Sequence, residues 1–286
     1  MGHSGTSLFL GCAALYNPRV FRLFKRRQRR PGATLVHDGI ERNLSMAVAL
    51  SVVVPVKDEA ENAPPLAREI AAALAQESDS EIVFVDDGSS DGTAERLQAL
   101  KAEIPSLRVI RHGANLGQSR AIRTGVRAAR GAIIVTLDGD GQNDPADIPK
   151  LLAELRRDPT GRLAMVSGVR ARRQDRLSRK LASRIGNRVR QWLLNDGASD
   201  TGCGLKAFRR EAFLELPYFD HIHRYLITLM LREGYEVRFV EVNHRPRLHG
   251  RSKYTNLNRL AVSIYDLFGV RWLQRRFRGP AETKEL

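Results

Sequence analysis

Short apolar runs that end in polar clusters recur along the first half of the chain, each followed by a stretch with helical spacing. Short runs rich in Val and Ile predict buried strands, and their alternation with helical stretches predicts an α/β fold with a mainly parallel central sheet flanked by helices. The predicted elements are strands at Leu50–Val56, Glu81–Val85, Val109–Arg111 and Ala132–Leu137, a helix over Thr93–Leu100 capped by Ser90 or Asp91, and a helix that begins after Asn115.

The second half of the chain is less regular. A basic stretch over residues 170–176 leads into a predicted helix that reaches Leu194. The pattern then predicts a helix at Leu226–Arg232 and a strand at Glu236–Val242. Residues 256–286 form an amphipathic, basic C-terminal segment with apolar residues at helical spacing from Leu257 to Phe268. This spacing predicts a helix that either lies on an anionic bilayer or packs on its own domain.

Polar side chains follow three of the predicted strands where each strand ends. Residues 57–62 follow the first strand, residues 86–93 the second, and residues 138–145 the strand that ends at Leu137. Because the carboxyl ends of parallel strands meet at one edge of a sheet, the sequence predicts a ligand site there.

The third polar cluster is a candidate metal site. Asp138 and Asp140 are one residue apart, and alternate side chains of an extended chain point the same way. Gln142 follows in the same register and adds a carbonyl oxygen. Oxygen ligands favour Mg²⁺ or Mn²⁺, which in proteins often also bind substrate phosphates. The alternative is a solvated Asp–Gly turn.

Composition narrows the class of partner. The formal net charge of +15 and the sequence pI of about 10.5 predict an anionic partner, either nucleic acid, a phospholipid surface or a phosphorylated substrate. Aromatic residues are sparse and no nucleic-acid-binding motif is present, which disfavours nucleic acid. Cys12 and Cys203 are too few and too far apart to predict a disulfide framework or a zinc site, and a reducing cytosol fits them.

Residues 1–45 form a basic extension that carries six of the fifteen excess positive charges. Met46 stands just before the first strand, so translation is predicted to start there; the alternative is a basic arm for anionic lipid. No run of eighteen apolar residues occurs, and no transmembrane helix is predicted.

Four motifs in order identify a family resemblance. Val54-Pro55, Val85–Thr93, Asn115–Gly117 and Asp138–Gln142 together resemble the family 2 glycosyltransferases of GT-A fold. Residues 247–254 match the Arg-x-x-Gly-x-Ser-Lys-Tyr run of their polyprenyl-phosphate branch, which includes dolichyl-phosphate mannose synthase-like enzymes. The resemblance extends from about Ala49 to about Leu260 and implies a GT-A catalytic domain over residues 46–255.

The resemblance implies a donor site for a UDP- or GDP-linked sugar. The metal ligands would be Asp138, Asp140 and Gln142. The nucleotide-binding residues would be Pro55, Asp58, Glu59, Asp86, Asp87 and Asp138. Carboxylates suit this task because uracil, guanine and ribose offer hydrogen-bond donors. As alternatives, Asp58 is a turn residue or helix cap, and Asp87 is a turn acid that supports Asp86.

The resemblance also implies an acceptor site. Asp200, in the run Ser199–Arg209, is the candidate acid, and it either orients or deprotonates the acceptor, or only caps a turn. Arg247, Ser252 and Lys253 would bind the donor diphosphate and the lipid phosphate. The implied catalytic residues are Asp140, Asp200, Arg247 and Lys253.

The implied activity is an inverting, metal-dependent transfer of a sugar to a polyprenyl phosphate. The product would be a lipid-linked sugar donor for cell-envelope glycan or lipid A modification. The enzyme would be peripheral, at the cytoplasmic face of the inner membrane, and would act either as a monomer or as a homo-oligomer. The alternatives are a family 2 transferase with a saccharide or lipopolysaccharide hydroxyl acceptor, and a binding module with a decayed site. The sugar and the choice between UDP and GDP stay open.

Overall fold

Seven strands among the described residues form one sheet. They are β1 (Leu50–Val56), β2 (Ser80–Asp86), β3 (Leu107–Arg111), β4 (Ile133–Thr136), β5 (Leu163–Arg170), β6 (Lys206–Arg209) and β7 (Glu236–Val242). Their order is β3-β2-β1-β4-β6-β5-β7. Strands β1 to β4 are parallel to one another, β6 is antiparallel to both of its neighbours, and β7 is parallel to β5. The sheet is therefore mainly parallel, as predicted.

Helices cover both faces of this sheet. They are α1 (Ala63–Ala73), α2 (Thr93–Ala99), α3 (Gln118–Ala128), α4 (Ile148–Arg156), α5 (Arg210–Glu215), α6 (Leu226–Arg232) and α7 (Asn256–Arg276), with 3-10 turns at Leu100–Ala102, Pro145–Asp147 and Ile222–Arg224. This computed structural model describes residues 48–158, 160–170, 188, 190–198, 200–247 and 256–279, with backbone only for 256–263. The basic extension 1–45, Ser252 and Lys253 lie outside the described residues.

Two apolar layers hold the helices on the sheet. Alternate residues of a strand point to opposite faces, so Val52 and Val54 of β1 enter one layer and Val53 enters the other. The first layer packs under α1, α2 and α4, and the second under α3, α5 and α6. Burial on both faces explains why β1 and β2 are nearly continuous apolar runs.

The predicted elements agree with the structure to within one or two residues. The strand Leu50–Val56, the helix Leu226–Arg232 and the strand Glu236–Val242 have the predicted bounds. The helix predicted over Thr93–Leu100 ends at Ala99, and its cap is Gly92, although Asp91 Oδ1 accepts a hydrogen bond from the Thr93 N–H at 3.1 Å. The sequence did not predict β5 or α5, and it placed α1 and α4 after their strands without giving their bounds.

The C-terminal helix α7 is apolar on two sides. Val270 is buried in the second apolar layer, against which Leu267 and Leu273 also pack. Arg232 Nε donates to the carbonyl of Leu273 at 3.1 Å, which ties α7 to α6. The opposite side presents exposed apolar side chains, at Ile264, Tyr265, Phe268 and Trp272. Within the described part of the chain, no helix is long and apolar enough to cross a bilayer.

Candidate active site at the carboxyl edge of the sheet

The loops that follow β1, β2 and β4 meet at the carboxyl edge of the sheet. The Asp87 N–H donates to the carbonyl of Val56 at 2.8 Å, which joins the first two loops. Gly139 approaches β1 so closely that a Cβ atom there would lie 2.8 Å from the carbonyl oxygen of Pro55. Pro55 is buried in β1 beyond the last residue paired with β4, so its missing N–H removes no hydrogen bond on that side. The three polar clusters are therefore adjacent, as the sequence predicts.

Asp58 links the first loop to the second. Its N–H donates to Ser89 Oγ at 2.8 Å, and its Oδ1 accepts from the Ser90 N–H at 2.9 Å. Asp58 has a φ of 46°, a left-handed conformation that Asp tolerates better than most residues. Lys57 Nζ donates to the carbonyl of Gly88 at 3.0 Å and lies 3.4 Å from Asp58 Oδ2. Asp58 is thus a turn residue, and its predicted role in nucleotide binding stays a prediction.

Asp86 ends β2 as a fully buried carboxylate. Its Oδ1 accepts from the Ser89 N–H at 3.0 Å. Its Oδ2 lies 3.3 Å from Arg111 Nε, yet accepts no hydrogen bond from the described residues. A buried carboxylate oxygen without a donor is costly, and a ligand N–H or O–H group would satisfy it.

Asp87 organises the neighbouring loop. Its Oδ1 accepts from His112 Nδ1 at 2.8 Å and from the Leu116 N–H at 2.9 Å, and its Oδ2 accepts from the Gly117 N–H at 2.8 Å. Gln118, the next residue, donates from Nε2 to Asp138 Oδ1 at 2.8 Å. Asp87 therefore holds the loop before α3, which places Gln118 against residues 138–145, here called the metal loop after its predicted ligands.

Asp138 is one of the three predicted metal ligands, and its surroundings shift its pKa. Burial, together with the charge of Asp140, raises the pKa of Asp138 from 3.8 to about 6. Its carboxylate packs on the backbone of Gly204, where a Cβ atom would lie 2.3 Å from Asp138 Oδ2. Only glycine leaves room for the carboxylate in this position. A cation between Asp138 and Asp140 would remove the repulsion that raises this pKa.

The metal loop pairs with the segment that follows β7. The Arg245 N–H donates to the Gln142 carbonyl at 2.9 Å. Asn143 and His244 form an antiparallel bridge. Arg245 Nη2 donates to Asp144 Oδ1 at 2.5 Å, and its Nη1 donates to Glu69 Oε2 at 2.6 Å. Residues 142 and 143 therefore pair through their backbones with the segment that leads to Arg247.

Arg247 lies at the end of this paired segment and faces the donor site. Its Nη2 donates to Glu59 Oε1 at 2.5 Å and lies 3.9 Å from Asp140 Oδ2. Its Nε is buried and finds no hydrogen-bond partner among the described residues. Arg247, Glu59 and Asp140 are thus brought together, and their roles in binding stay predictions.

Asp200 is buried and tightly paired. Its two carboxylate oxygens accept from Arg170 Nε at 2.7 Å and Nη2 at 2.8 Å, a bidentate ion pair at the end of β5. The Gly202 N–H adds a third donor at 3.2 Å. Lys206, also buried, donates from Nζ to the carbonyl of Cys203. Burial lowers the pKa of Lys206, while Asp138 and Asp200 act to raise it.

Three residues of the site were missed by sequence analysis: Gln118, Arg170 and Lys206. Gln118 follows the Asn-Leu-Gly motif at the start of a predicted helix on the ligand edge, and that position was the available signal. Arg170 stood in a basic stretch that predicted a solvated helix. Nothing local in the sequence shows that it ends a strand beside Asp200.

The donor set fits a hard divalent cation. The oxygens at the metal loop come from two carboxylates and an amide, which suits Mg²⁺ or Mn²⁺ held by one or two carboxylates and by substrate phosphates. No cluster of three or more His, Cys, Asp or Glu that could hold a metal occurs in the described residues.

Comparison with known proteins decides the family. Residues 51–216 match the family model described as glycosyl transferase family 2. The chain belongs to this family. It is 34% identical over 234 residues, 80% of this chain and 68% of the relative, to the dodecaprenyl-phosphate galacturonate synthase of Rhizobium johnstonii. It is 40% identical over 226 residues, 76% of this chain and 66% of the relative, to the undecaprenyl-phosphate 4-deoxy-4-formamido-L-arabinose transferase of Serratia proteamaculans.

This family 2 glycosyltransferase spans about two thirds of the length of those two relatives. Among solved structures it resembles the glucosyl-3-phosphoglycerate synthase of Mycobacterium tuberculosis, determined with Mn²⁺, UDP and glucosyl-3-phosphoglycerate. The TM-score is 0.60 at 19% identity, over 82% of this chain and 81% of that one. The likeness confirms the GT-A fold that the motifs predict.

Proposed function

We propose that this family 2 glycosyltransferase moves a sugar from a nucleotide diphosphate sugar to a polyprenyl phosphate. Both curated relatives described above are named for polyprenyl-phosphate acceptors, dodecaprenyl phosphate in one and undecaprenyl phosphate in the other. The product is a lipid-linked sugar that serves as a donor in cell-envelope glycan or lipid A modification.

In this proposal the metal loop and Arg247 hold the donor diphosphate. Asp138, Asp140 and Gln142 would hold Mg²⁺ or Mn²⁺, which supplies positive charge to the diphosphate leaving group. Arg247 adds a guanidinium suited to bidentate phosphate binding. Asp58, Glu59 and Asp86 bind the nucleoside, for which the unsatisfied Asp86 Oδ2 offers an acceptor.

The pairing of Asp200 with Arg170 supports a phosphate acceptor over a hydroxyl acceptor. A hydroxyl acceptor needs a base to remove its proton, whereas a phosphate is already ionised near neutral pH. Both oxygens of Asp200 are engaged by the Arg170 guanidinium, and the Gly202 N–H adds a further donor. A carboxylate held in this way orients Arg170 and is poorly placed to take a proton, which favours a phosphate acceptor.

The proposed transfer inverts the anomeric carbon. The bond from the sugar C1 to the diphosphate oxygen breaks, and a phosphate oxygen of the lipid forms a new bond to C1 from the opposite face. No proton has to move in this step. Arg247 and, by the family resemblance, Ser252 and Lys253 reduce the repulsion between the two phosphate groups.

The proposed site of action is an anionic membrane surface, at the cytoplasmic face of the inner membrane. The outer side of α7 exposes Tyr265, Phe268 and Trp272 with 81%, 63% and 60% of their surfaces accessible. Trp192, on the helical residues next to α7, is 83% exposed. Aromatic side chains beside arginines suit the interface of an anionic bilayer, where the lipid tail of the acceptor resides.

The test is lipid-dependent release of the nucleotide. Purified protein is incubated with Mn²⁺, a short polyprenyl phosphate and a panel of UDP- and GDP-sugars, with Asp140→Ala as the inactive control. The proposal predicts that one sugar nucleotide releases UDP or GDP only when the lipid phosphate is present. Release with a saccharide hydroxyl acceptor and none with lipid phosphate would contradict it and support the hydroxyl-acceptor alternative.

A further inference from the structure

The two carboxylates of the metal loop are neutralised by different cations. Asp138 is influenced by Lys206 and Arg170, which act to lower its pKa. Both of these cations are fixed, because Arg170 is bidentate with Asp200 and Lys206 is buried and bonded to the Cys203 carbonyl. They can therefore stay in place whether or not a metal binds.

Asp140 faces a different kind of cation. The guanidinium of Arg247 lies 3.9 Å from Asp140 Oδ2 and is held by a single hydrogen bond, to Glu59, among the described residues. Asp140 Oδ1 accepts from the Gln142 N–H at 3.1 Å, so Oδ2 is the oxygen that is directed to Arg247. A metal that uses Asp140 as a ligand would meet this positive charge.

The Arg247 side chain also lacks a partner that an anion would supply. Its Nε is buried and unsatisfied within the described part of the chain, although an arginine has five N–H donors. Two phosphate oxygens would fill a guanidinium edge in the fork geometry that carboxylates and phosphates share. The same side chain thus neutralises Asp140 and has an unfilled donor.

We propose that Arg247 exchanges partners when the donor binds. Without donor, its guanidinium takes the place of a cation beside Asp140 and Glu59 and opposes metal binding by like-charge repulsion. With donor, it leaves Asp140 to the metal and binds the diphosphate. Metal and nucleotide therefore bind cooperatively, and the metal alone binds weakly. This inference rests on the proposed function only for the identity of the donor.

Arg247→Gln tests this exchange through a gain in affinity. Mn²⁺ binding is measured by electron paramagnetic resonance on the full chain, without sugar or lipid. The neutral variant is expected to bind Mn²⁺ alone about tenfold more tightly than the wild type, because a like charge near the ligand is gone. A structural role for Arg247 alone would give weaker binding or none, so equal or weaker binding overturns the proposal.

The nucleotide provides the second half of the test. UDP or GDP is expected to raise the Mn²⁺ affinity of the wild type by about tenfold, and Mn²⁺ must raise the nucleotide affinity equally. In Arg247→Gln this coupling is expected to be smaller, because the part that Arg247 contributes is lost. Failure of both UDP and GDP to raise the wild-type affinity for Mn²⁺, or an undiminished coupling in the variant, contradicts the exchange.

Two controls separate charge from fold. Arg247→Lys keeps the positive charge, so its affinity for Mn²⁺ alone is expected to stay near that of the wild type. Arg238→Gln removes an equal charge from the exposed Arg238–Glu154 pair on β7 and is expected to change nothing. Since no glycolipid is formed in these measurements, a failure of the proposed transfer reaction would leave their outcome unaffected.

Discussion

Asp138 and Asp140 place two negative charges on one short loop, and this destabilises the ionised form of Asp138. Its pKa is raised from 3.8 to about 6, first by burial and then by Asp140. Between these two values the folded protein binds more protons than the unfolded chain, so the free energy of unfolding decreases as the pH rises through this window. This loss of stability is a cost that the proposed metal site would impose on the fold.

The first prediction concerns this cost. Asp138→Asn should raise the free energy of unfolding of the metal-free protein by about 1–3 kcal/mol at pH 7.5, because it removes the penalised charge. The gain should disappear as the pH falls to about 3, where Asp138 is protonated in both states. Urea unfolding in the presence of a chelator, repeated across this pH range, measures it. A variant less stable than the wild type at pH 7.5 would show that the charge of Asp138 does not destabilise the metal-free protein.

The second prediction concerns the buried pair of Asp200 and Arg170. Asp200→Asn leaves the guanidinium of Arg170 buried without its counter-charge, and should lower the free energy of unfolding by roughly 3 kcal/mol. Glu154→Gln, which breaks an exposed pair with Arg238, should change it by less than about 1 kcal/mol. Both are read by urea unfolding. Unchanged stability with lost turnover would mean that Asp200 acts directly in the chemistry.

The residues of the metal loop could be predicted because they follow one strand in the sequence. Asp138, Asp140 and Gln142 need only the alternation of an extended chain and a knowledge of metal ligands. The partners of Asp138 and Asp200 could not, since Gln118, Lys206 and Arg170 reach them from three other elements. Contacts between distant segments depend on the tertiary fold, and a local pattern does not contain them.

At the scale of elements, the parallel half of the sheet was predictable and the rest was not. Strands β1, β2 and β4 are buried on both faces and have clear apolar runs. Strand β6 is four residues long and lies antiparallel between β4 and β5, and no local pattern indicates that position. Strand β5 carries small and polar residues among its apolar ones, at Ala164, Ser167 and Gly168, which weakened its signal.

The sequence of the C-terminal helix α7 allowed two interpretations, packing on its own domain and contact with an anionic bilayer. Val270 and its neighbours pack on the domain, so the helix is part of the body of the protein. The exposed aromatic side chains are an additional surface, which one amphipathic stripe would not provide. Packing on the domain is confirmed. Contact of the other side of the helix with a membrane stays a proposal.

The third prediction tests that outer side. The triple variant Tyr265→Ser, Phe268→Ser and Trp272→Ser should bind vesicles of phosphatidylcholine and phosphatidylglycerol at least about tenfold more weakly than the wild type, because it removes the apolar groups that enter the interface. Co-sedimentation measures the bound fraction. Turnover of a short, water-soluble polyprenyl phosphate should be retained.

The control removes exposed apolar side chains elsewhere. Leu231→Ser and Phe239→Ser, on α6 and β7, should leave vesicle binding unchanged. Equal loss in the control and the triple variant would show a general effect of surface hydrophobicity. Full binding by the triple variant would place the membrane contact on another surface.

For the whole molecule, the net charge and the arrangement of the site both fit the proposed transfer between anionic partners. The net charge of +15 favours anionic partners, and the donor, the acceptor head group and the proposed bilayer are all anionic. The metal loop and the segment that carries Arg247 are joined by the bridge between Asn143 and His244. In the proposed transfer, this pairing would keep Arg247 beside the donor diphosphate.

The linkage in the product shows whether the acceptor is the phosphate of a polyprenyl lipid. The reaction with the active sugar nucleotide is followed by ³¹P nuclear magnetic resonance. With a phosphate acceptor, we expect the phosphomonoester signal of the lipid to be replaced by a phosphodiester signal in step with nucleotide release. A sugar found on a hydroxyl group, with the lipid phosphomonoester unchanged, would contradict it.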